Sequence, residues 1–267
     1  MKKAYLRFCI HFEKTPVPTT SATVAMYATF LARTLNPSSI GSYLNVIKLM
    51  HEEQGYDNPL NDWNLKMLKR GIHRNLGKPP CQKLPITPQI LLSIYSMLDL
   101  SLPRIRAFWA ASLVAFYCLL RKSTLLPKSL SKSEIVKSLC LCDVIVKPDK
   151  SEMIVRIRHT KTIQFGQRLL ELPVSSVEGS VLCPVSAVVS MLADLSGKQL
   201  LPLQPLFSYV SNVGQVEVLT HNSFVHMLKY YLDMCNIESR LYSGHSFRRG
   251  GCTYAFSVGV SPSVIKL

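Results

Sequence analysis

The chain has 267 residues, 48% of them hydrophobic, which is enough apolar material for one large domain or two ordinary ones and too much for a disordered tail. Lys and Arg number 31 against 16 Asp and Glu, a formal charge of +15 that favours a polyanionic partner, with anionic membranes and acidic proteins as weaker competitors. The eight cysteines contain no CxxC pair, which argues against a zinc site and for reduced, mostly buried thiols. The longest mainly apolar run, Ala107 to Leu120, is too short to span a bilayer, and no signal-peptide core follows Met1-Lys2-Lys3. The expectation is a soluble, non-secreted protein, nuclear if the source is eukaryotic and cytoplasmic otherwise.

Residues 1–84 carry 12 basic and five acidic side chains, against 19 and 11 in residues 85–267, so the first third is about twice as basic per residue. A small basic unit joined to a larger one suggests two parts gripping the same ligand. Thr20 or Ser21 can cap a helix over 21–35 that Asn36-Pro37 ends. Pro37 then begins another, with Ile40, Tyr43, Leu44, Ile47 and Met50 at helical spacing and Gly55 closing it. A third runs from an Asp62 cap to Leu76. Leu65, Leu68, Ile72 and Leu76 form one of its faces, and Lys66, Lys69, Arg70, His73 and Arg74 the other. Taken alone, that basic face reads equally well as a solvated surface.

The prolines and glycine of 77–85 permit neither helix nor central strand, so a linker is placed at 77–87 between domains at 1–76 and 88–267. Thr87-Pro88 restarts a helix, and a strongly apolar one follows over 102–120. The β-branched stretch 138–146 suits a strand, Lys147 to Lys150 a turn, and 153–162 and 169–174 two further strands. Helices resume at 184–195, 221–236 and 243–258, and Ser261-Pro262-Ser263 opens one more. The fold class is mainly α with a small antiparallel β-sheet, α+β.

Three segments carry possible chemistry. In Ser243-Gly244-His245-Ser246-Phe247-Arg248-Arg249-Gly250-Gly251, His245 and Arg248 are three apart and share a helix face. An imidazole beside a guanidinium is a poor core pair but a good phosphate ligand, since arginine binds two oxygens in a fork. The plain alternative is a capped helix start with incidental basic residues, and Arg249 either touches the backbone or faces solvent. Arg121 in Cys118-Leu119-Leu120-Arg121-Lys122 reads as the end of the long apolar helix, where it would pair with the last carbonyls. Lys161 in Arg158-His159-Thr160-Lys161-Thr162 lies near a hairpin tip, from which a lysine can swing into a cleft as a proton donor. Tyr254, Tyr230 and Tyr231 read as packing residues.

An arginine at a helix end, a lysine on a β-hairpin and His-x-x-Arg near the C-terminus, in that order, resemble the tyrosine recombinases of phage-integrase type. Ser38 to Leu44 with the basic helix 62–76 looks like their helical, SAM-like core-binding domain. Leu182-Cys183-Pro184-Val185 and His245 to Gly251 look particularly like retrotransposon recombinases of the DIRS and Ngaro kind. The resemblance implies that Arg121 and Arg248 neutralise a scissile phosphate, that Lys161 protonates the departing 5′ oxygen and that His245 assists the attacking tyrosine. It implies contacts to double-stranded DNA from Lys66, Lys69, Arg70, Arg74 and Arg249, homo-oligomers on DNA, and neither metal nor other cofactor. Thr124 stands where the family usually has an acid that supports the first arginine. The family's nucleophilic tyrosine would lie a few turns beyond Leu267, so the polypeptide is expected to bind duplex DNA without cutting it. Competing readings are a non-catalytic DNA-binding protein derived from a transposon recombinase, an α-rich scaffold for acidic proteins, and, more distantly, a type IB topoisomerase.

Overall fold

The computed structural model describes residues 1–77, 82–159, 169–201 and 203–265. The chain divides into two compact units, Met1–Cys81 and Gln82–Leu267. Among its described residues the first holds four α-helices, α1 (Lys2–His11), α2 (Ser21–Ala32), α3 (Pro37–Glu52) and α4 (Trp63–Leu76). Three start where the sequence places them, because each cap is a local bond. Thr20 Oγ1 accepts from Thr23 N–H at 3.2 Å, Asn36 Oδ1 from Ser38 N–H at 3.1 Å, and Asp62 Oδ1 from Leu65 N–H at 2.9 Å.

Helix α1 has no side-chain cap and no counterpart in the sequence reading; tertiary packing holds it. The rings of Tyr5 and Phe8 sit 5.1 and 4.8 Å from that of Tyr27 on α2. Val24, Leu31, Ile40, Leu44, Ile47 and Leu65 complete this core, each contributing on the order of 1.5–3 kcal/mol by leaving water. His51 is buried among them with both ring nitrogens satisfied. Its Nε2 accepts from Thr19 N–H at 2.9 Å and its Nδ1 bonds to Ile47 O at 2.8 Å.

The second unit is built on α6 (Pro103–Tyr117), whose residues Ala107 to Phe116 are all buried. Around it pack α5 (Pro88–Tyr95), α9 (Pro184–Ala193), α10 (His221–Met234) and α11 (Gly244–Ser257). The short helices α7 (Lys122–Leu125), α8 (Lys132–Ile135) and α12 (Pro262–Ile265) complete the helical set among the described residues. Arg106 on α6 grips Asp194 at the end of α9 with both oxygens, Nε to Oδ2 at 2.7 Å and Nη2 to Oδ1 at 2.6 Å. Cys183 caps α9 with sulfur, accepting from Ser186 N–H at 3.4 Å.

The sheet is antiparallel in the order β1 (Val144–Val146), β2 (Glu152–Ile157), β3 (Leu170–Ser175), with Val144 opposite Val155 and Val155 opposite Leu172. Alternate residues Met153, Val155 and Ile157 are buried, as a half-covered sheet demands. The strand expected over 138–146 is mostly something else. Only its last three residues join the sheet, because Leu141–Asp143 form a 3₁₀ turn closed by Asp143 Oδ2 accepting from Cys140 N–H at 2.8 Å, while Cys140 makes an isolated antiparallel bridge to Pro205. A second hairpin, β4 (Ser208–Val210) with β5 (Val216–Val218), has no counterpart in the sequence reading.

Residues 82–87, expected in the linker, pack into the second unit. Leu84 N–H donates to Leu241 O at 2.8 Å, Ile86 N–H to Ser246 O at 3.0 Å, and Ile86 is fully buried. Among the described residues no helix is long and apolar enough to cross a membrane.

Candidate phosphate-binding site

Helix α6 ends earlier than expected, at Tyr117, in a Schellman turn. Leu119 N–H donates to Phe116 O at 3.4 Å and Leu120 N–H to Ala115 O at 3.1 Å, with Leu119 at a φ of 53°. That left-handed position favours glycine, and a leucine there costs on the order of 1 kcal/mol. The turn redirects the chain, so Arg121 is not at the helix end. It stands in extended conformation as the N-cap residue of α7, and its side chain does not serve the last carbonyls of α6.

Helix α11 brings the second half. Ser243 N–H donates to the buried Ser246 Oγ at 3.0 Å, and Ser243 Oγ accepts from His245 N–H at 3.3 Å, which fixes the first turn. Phe247 points into the core against Phe224, ring centroids 5.3 Å apart. The face turned away from Phe247 carries His245, Arg248, Arg249 and Cys252 at helical spacings of three and four.

The two glycines that follow set how close this helix can come. A Cβ on Gly251 would lie 2.0 Å from Phe116 O and 2.6 Å from Leu119 Cδ2, and one on Gly250 would lie 1.7 Å from Ile86 O. Helix α11 therefore lies backbone to backbone against the end of α6 and the 84–86 segment. Arg248 Nη1 donates to Leu119 O across that contact. The sequence signalled His-x-x-Arg but assigned Gly250-Gly251 no role. Their role is to bring the arginine of α11 to the arginine after α6.

Arg121, His245, Arg248, Arg249, Cys252 and Thr253 together line an open depression of about 420 Å³. Among the described residues, no carboxylate lies within 4.0 Å of either Arg121 or Arg248, whereas Arg106, Arg156, Arg158 and Arg240 all have one. Partial burial, then the charges of Arg121, Lys122 and Arg248, hold the His245 imidazole below the usual histidine range. Like charges gathered without a counter-ion form a site shaped for an anion.

The other expected residues fall as follows. Arg249 is exposed at the rim, with Nη1 donating to Lys83 O and Nη2 to Gln82 Oε1 at 3.2 Å, so part of its guanidinium is engaged within the unit. Lys161 lies outside the described residues. The strand ends flanking it, Ile157 and Leu170, line a second, largely apolar cavity of about 490 Å³ that also touches Arg121 and Arg248. Tyr254, read as core, is 39% exposed in that same cavity. It packs on Phe116 and faces away from His245 along α11. Tyr230 is likewise exposed, while Tyr231 is buried.

Thr124, where the resemblance expects an acid, is buried and bonds through its backbone: its N–H donates to Arg121 O at 2.9 Å and its O accepts from Leu139 N–H at 2.9 Å. On α4, Lys66, Arg70 and Arg74 are exposed, and Lys69 flanks the apolar face half-buried. Among the described residues no cluster of His, Cys, Asp and Glu fit to hold a metal occurs.

The chain has the α+β fold of the tyrosine recombinases. No family model and no curated protein matches the sequence. Solved structures share its fold. The integrase of transposon Tn1549 in complex with circular intermediate DNA is similar over 94% of this chain and 77% of that one, with a TM-score of 0.58 and 14% identity. The same integrase in complex with transposon right end DNA is similar over 99% and 84%, at 0.59 and 16%. The XerH site-specific recombinase bound to its difH substrate is similar over 99% and 68%, at 0.58 and 8%.

Proposed function

We propose that this chain is a DNA-binding protein of the site-specific recombinase type, whose second unit holds one backbone phosphate of a duplex between Arg121 and Arg248. The observation that carries the reading is the convergence of Arg121 with His245 and Arg248, which lie 124 and 127 residues further on, at one depression where, among the described residues, no carboxylate pairs with either arginine. Two guanidiniums can neutralise both non-bridging oxygens and stabilise added charge in a pentacoordinate transition state. A neutral imidazole beside them, as His245 is held, can take a proton from an attacking hydroxyl. In this reading Lys161 donates the proton to the departing 5′ oxygen. Lys66, Lys69, Arg70 and Arg74 give unit 1 the role of a core-binding domain that contacts further phosphates, with Arg249 adding a contact at the rim. Phosphotyrosyl chemistry conserves the bond energy and calls for no metal.

A transposon origin, of the DIRS or Ngaro kind, fits the Leu182 to Val185 and His245 to Gly251 segments, and assembly of copies on the duplex belongs to the same reading. Tyr254 lies on the opposite side of α11 from His245. In this reading the polypeptide of residues 1–267 binds DNA and forms no covalent adduct.

The test is fluorescence anisotropy with a labelled duplex over a salt series, paired with a nicked suicide substrate. Steeply salt-dependent binding, weakened about tenfold or more by Arg121→Gln and by Arg248→Gln, is the expected result. Salt-insensitive binding, or equal affinity for an acidic polypeptide, would sink the DNA reading. A trapped adduct would sink the claim that this polypeptide does not cut.

A further inference from the structure

Lys122, next in the chain to Arg121, is held both at its carbonyl and along its stem. Its carbonyl accepts from His221 Nε2 at 2.7 Å, and His221 is itself nearly buried at the first position of α10, its own N–H donating to Pro127 O at 3.1 Å. The Lys122 side chain then runs across the start of α11. A Cβ built on Gly244 would meet its Cδ at 2.9 Å, its Cβ at 3.0 Å and its Cγ at 3.4 Å, so any side chain there would push the stem aside. Among the described residues no carboxylate lies within 4.0 Å of its ammonium, while Lys48, Lys137 and Lys147 each have one.

A lysine with a packed stem keeps its charge at the surface and loses less freedom when it binds. Lys122 joins Arg121 and Arg248 as a third cation acting on His245 and raises the repulsion within the unit, a cost that an incoming polyanion offsets. We propose that Lys122 is a further phosphate-binding residue of this site, its stem seated on Gly244 so that its ammonium contacts the DNA backbone beside the phosphodiester held by Arg121 and Arg248. This rests on the reading of the depression as a DNA-phosphate site and adds to it a second phosphate and the device that aims the cation.

The experiment is the salt dependence of duplex binding by the 267-residue polypeptide with Lys122→Gln, Lys122→Arg and Gly244→Ala, each checked for an unchanged melting temperature. Removing one phosphate contact should lower the slope of log K against log salt by about 1. Lys122→Gln should show that drop and Lys122→Arg should not. Gly244→Ala, which keeps every charge but displaces the stem, should weaken binding as Lys122→Gln does. If Lys122→Gln keeps the wild-type slope while Arg121→Gln and Arg248→Gln weaken binding, the inference falls and the phosphate site stands. A Lys122→Gln that loses stability but no slope marks a merely packed lysine and also overturns it. If the unsubstituted polypeptide shows no salt-dependent duplex binding, the underlying reading fails first.

Discussion

Helices α4 and α11 are both basic, and they place their charges in opposite ways. On α4, Lys66, Arg70 and Arg74 stand exposed along one side. On α11, Arg248 is half-buried against Leu119 O and shares one depression with Arg121 and His245. The first arrangement can follow a line of phosphates with no fixed geometry, and salt screens it. The second can hold one phosphate in a set geometry, and it depends on how tightly two backbones approach. The glycines carry the same contrast. A Cβ on Gly71 of α4 meets nothing within 4 Å, whereas one on Gly251 of α11 meets Phe116 O at 2.0 Å.

The largest expected effect follows from that pair. Gly251→Ala should destabilise the second unit by about 3 kcal/mol or more, because neither the Phe116 carbonyl nor the α11 backbone can yield without moving the core. Gly71→Ala should instead stabilise the first unit by about 0.5–1 kcal/mol, the ordinary gain of alanine over glycine inside a helix. Thermal melts of both variants check the comparison. A Gly251→Ala protein that melts like the wild type and binds duplex with unchanged affinity would mean that close approach does not build the site.

Next in size is the loss expected on α4. Replacing Lys66, Arg70 and Arg74 together by glutamine should lower the salt slope of duplex binding by about 2–3 and weaken every sequence alike, since these residues would meet phosphates and no base edges. Trp63 supplies an independent signal. It is 68% exposed in the first turn of α4, on the side of Lys66 and Arg70, while Trp109, the other tryptophan of the chain, is buried. Duplex binding should quench the protein's emission, and Trp63→Phe should remove the change. Unaltered emission on a saturated complex would take α4 off the DNA.

What was legible in the sequence follows from range. Thr20, Asn36, Asp62 and Thr87 cap helices by bonds two or three residues away, and a sequence carries such bonds on its face. The i, i+3 relation of His245 and Arg248 was legible for the same reason. The left-handed Leu119 was not, since a leucine gives no local sign of a position that favours glycine, and with it went the true setting of Arg121. The stretch 138–146 misled because β-branched residues favour strands while the bond from Cys140 N–H to Asp143 folds half of it into a turn. The hairpin of β4 and β5 had its sign in Ser211-Asn212-Val213-Gly214, with Gly214 at a φ of 78°. Lys122 on Gly244 is a contact across more than a hundred residues, and nothing in either segment alone announces it.

The smallest expected effect tests the converged site through protons. In the free protein, burial and the charges of Arg121, Lys122 and Arg248 hold His245 below its usual value near 6.5, so the ring is neutral at neutral pH. A bound phosphate offsets those positive charges and raises the pKa in the complex. A group whose pKa rises on binding takes up a proton with the ligand, so affinity should increase as pH falls through the complex's pKa and level off below that of the free protein. Each unit by which binding raises that pKa is worth about 1.4 kcal/mol, or tenfold, and a single imidazole limits the gain to at most about tenfold per pH unit between about pH 8 and pH 6. His245→Gln should flatten this dependence and leave the contribution of α4 untouched. A pH profile that persists unchanged in His245→Gln would place the titrating group elsewhere and separate the imidazole from the phosphate.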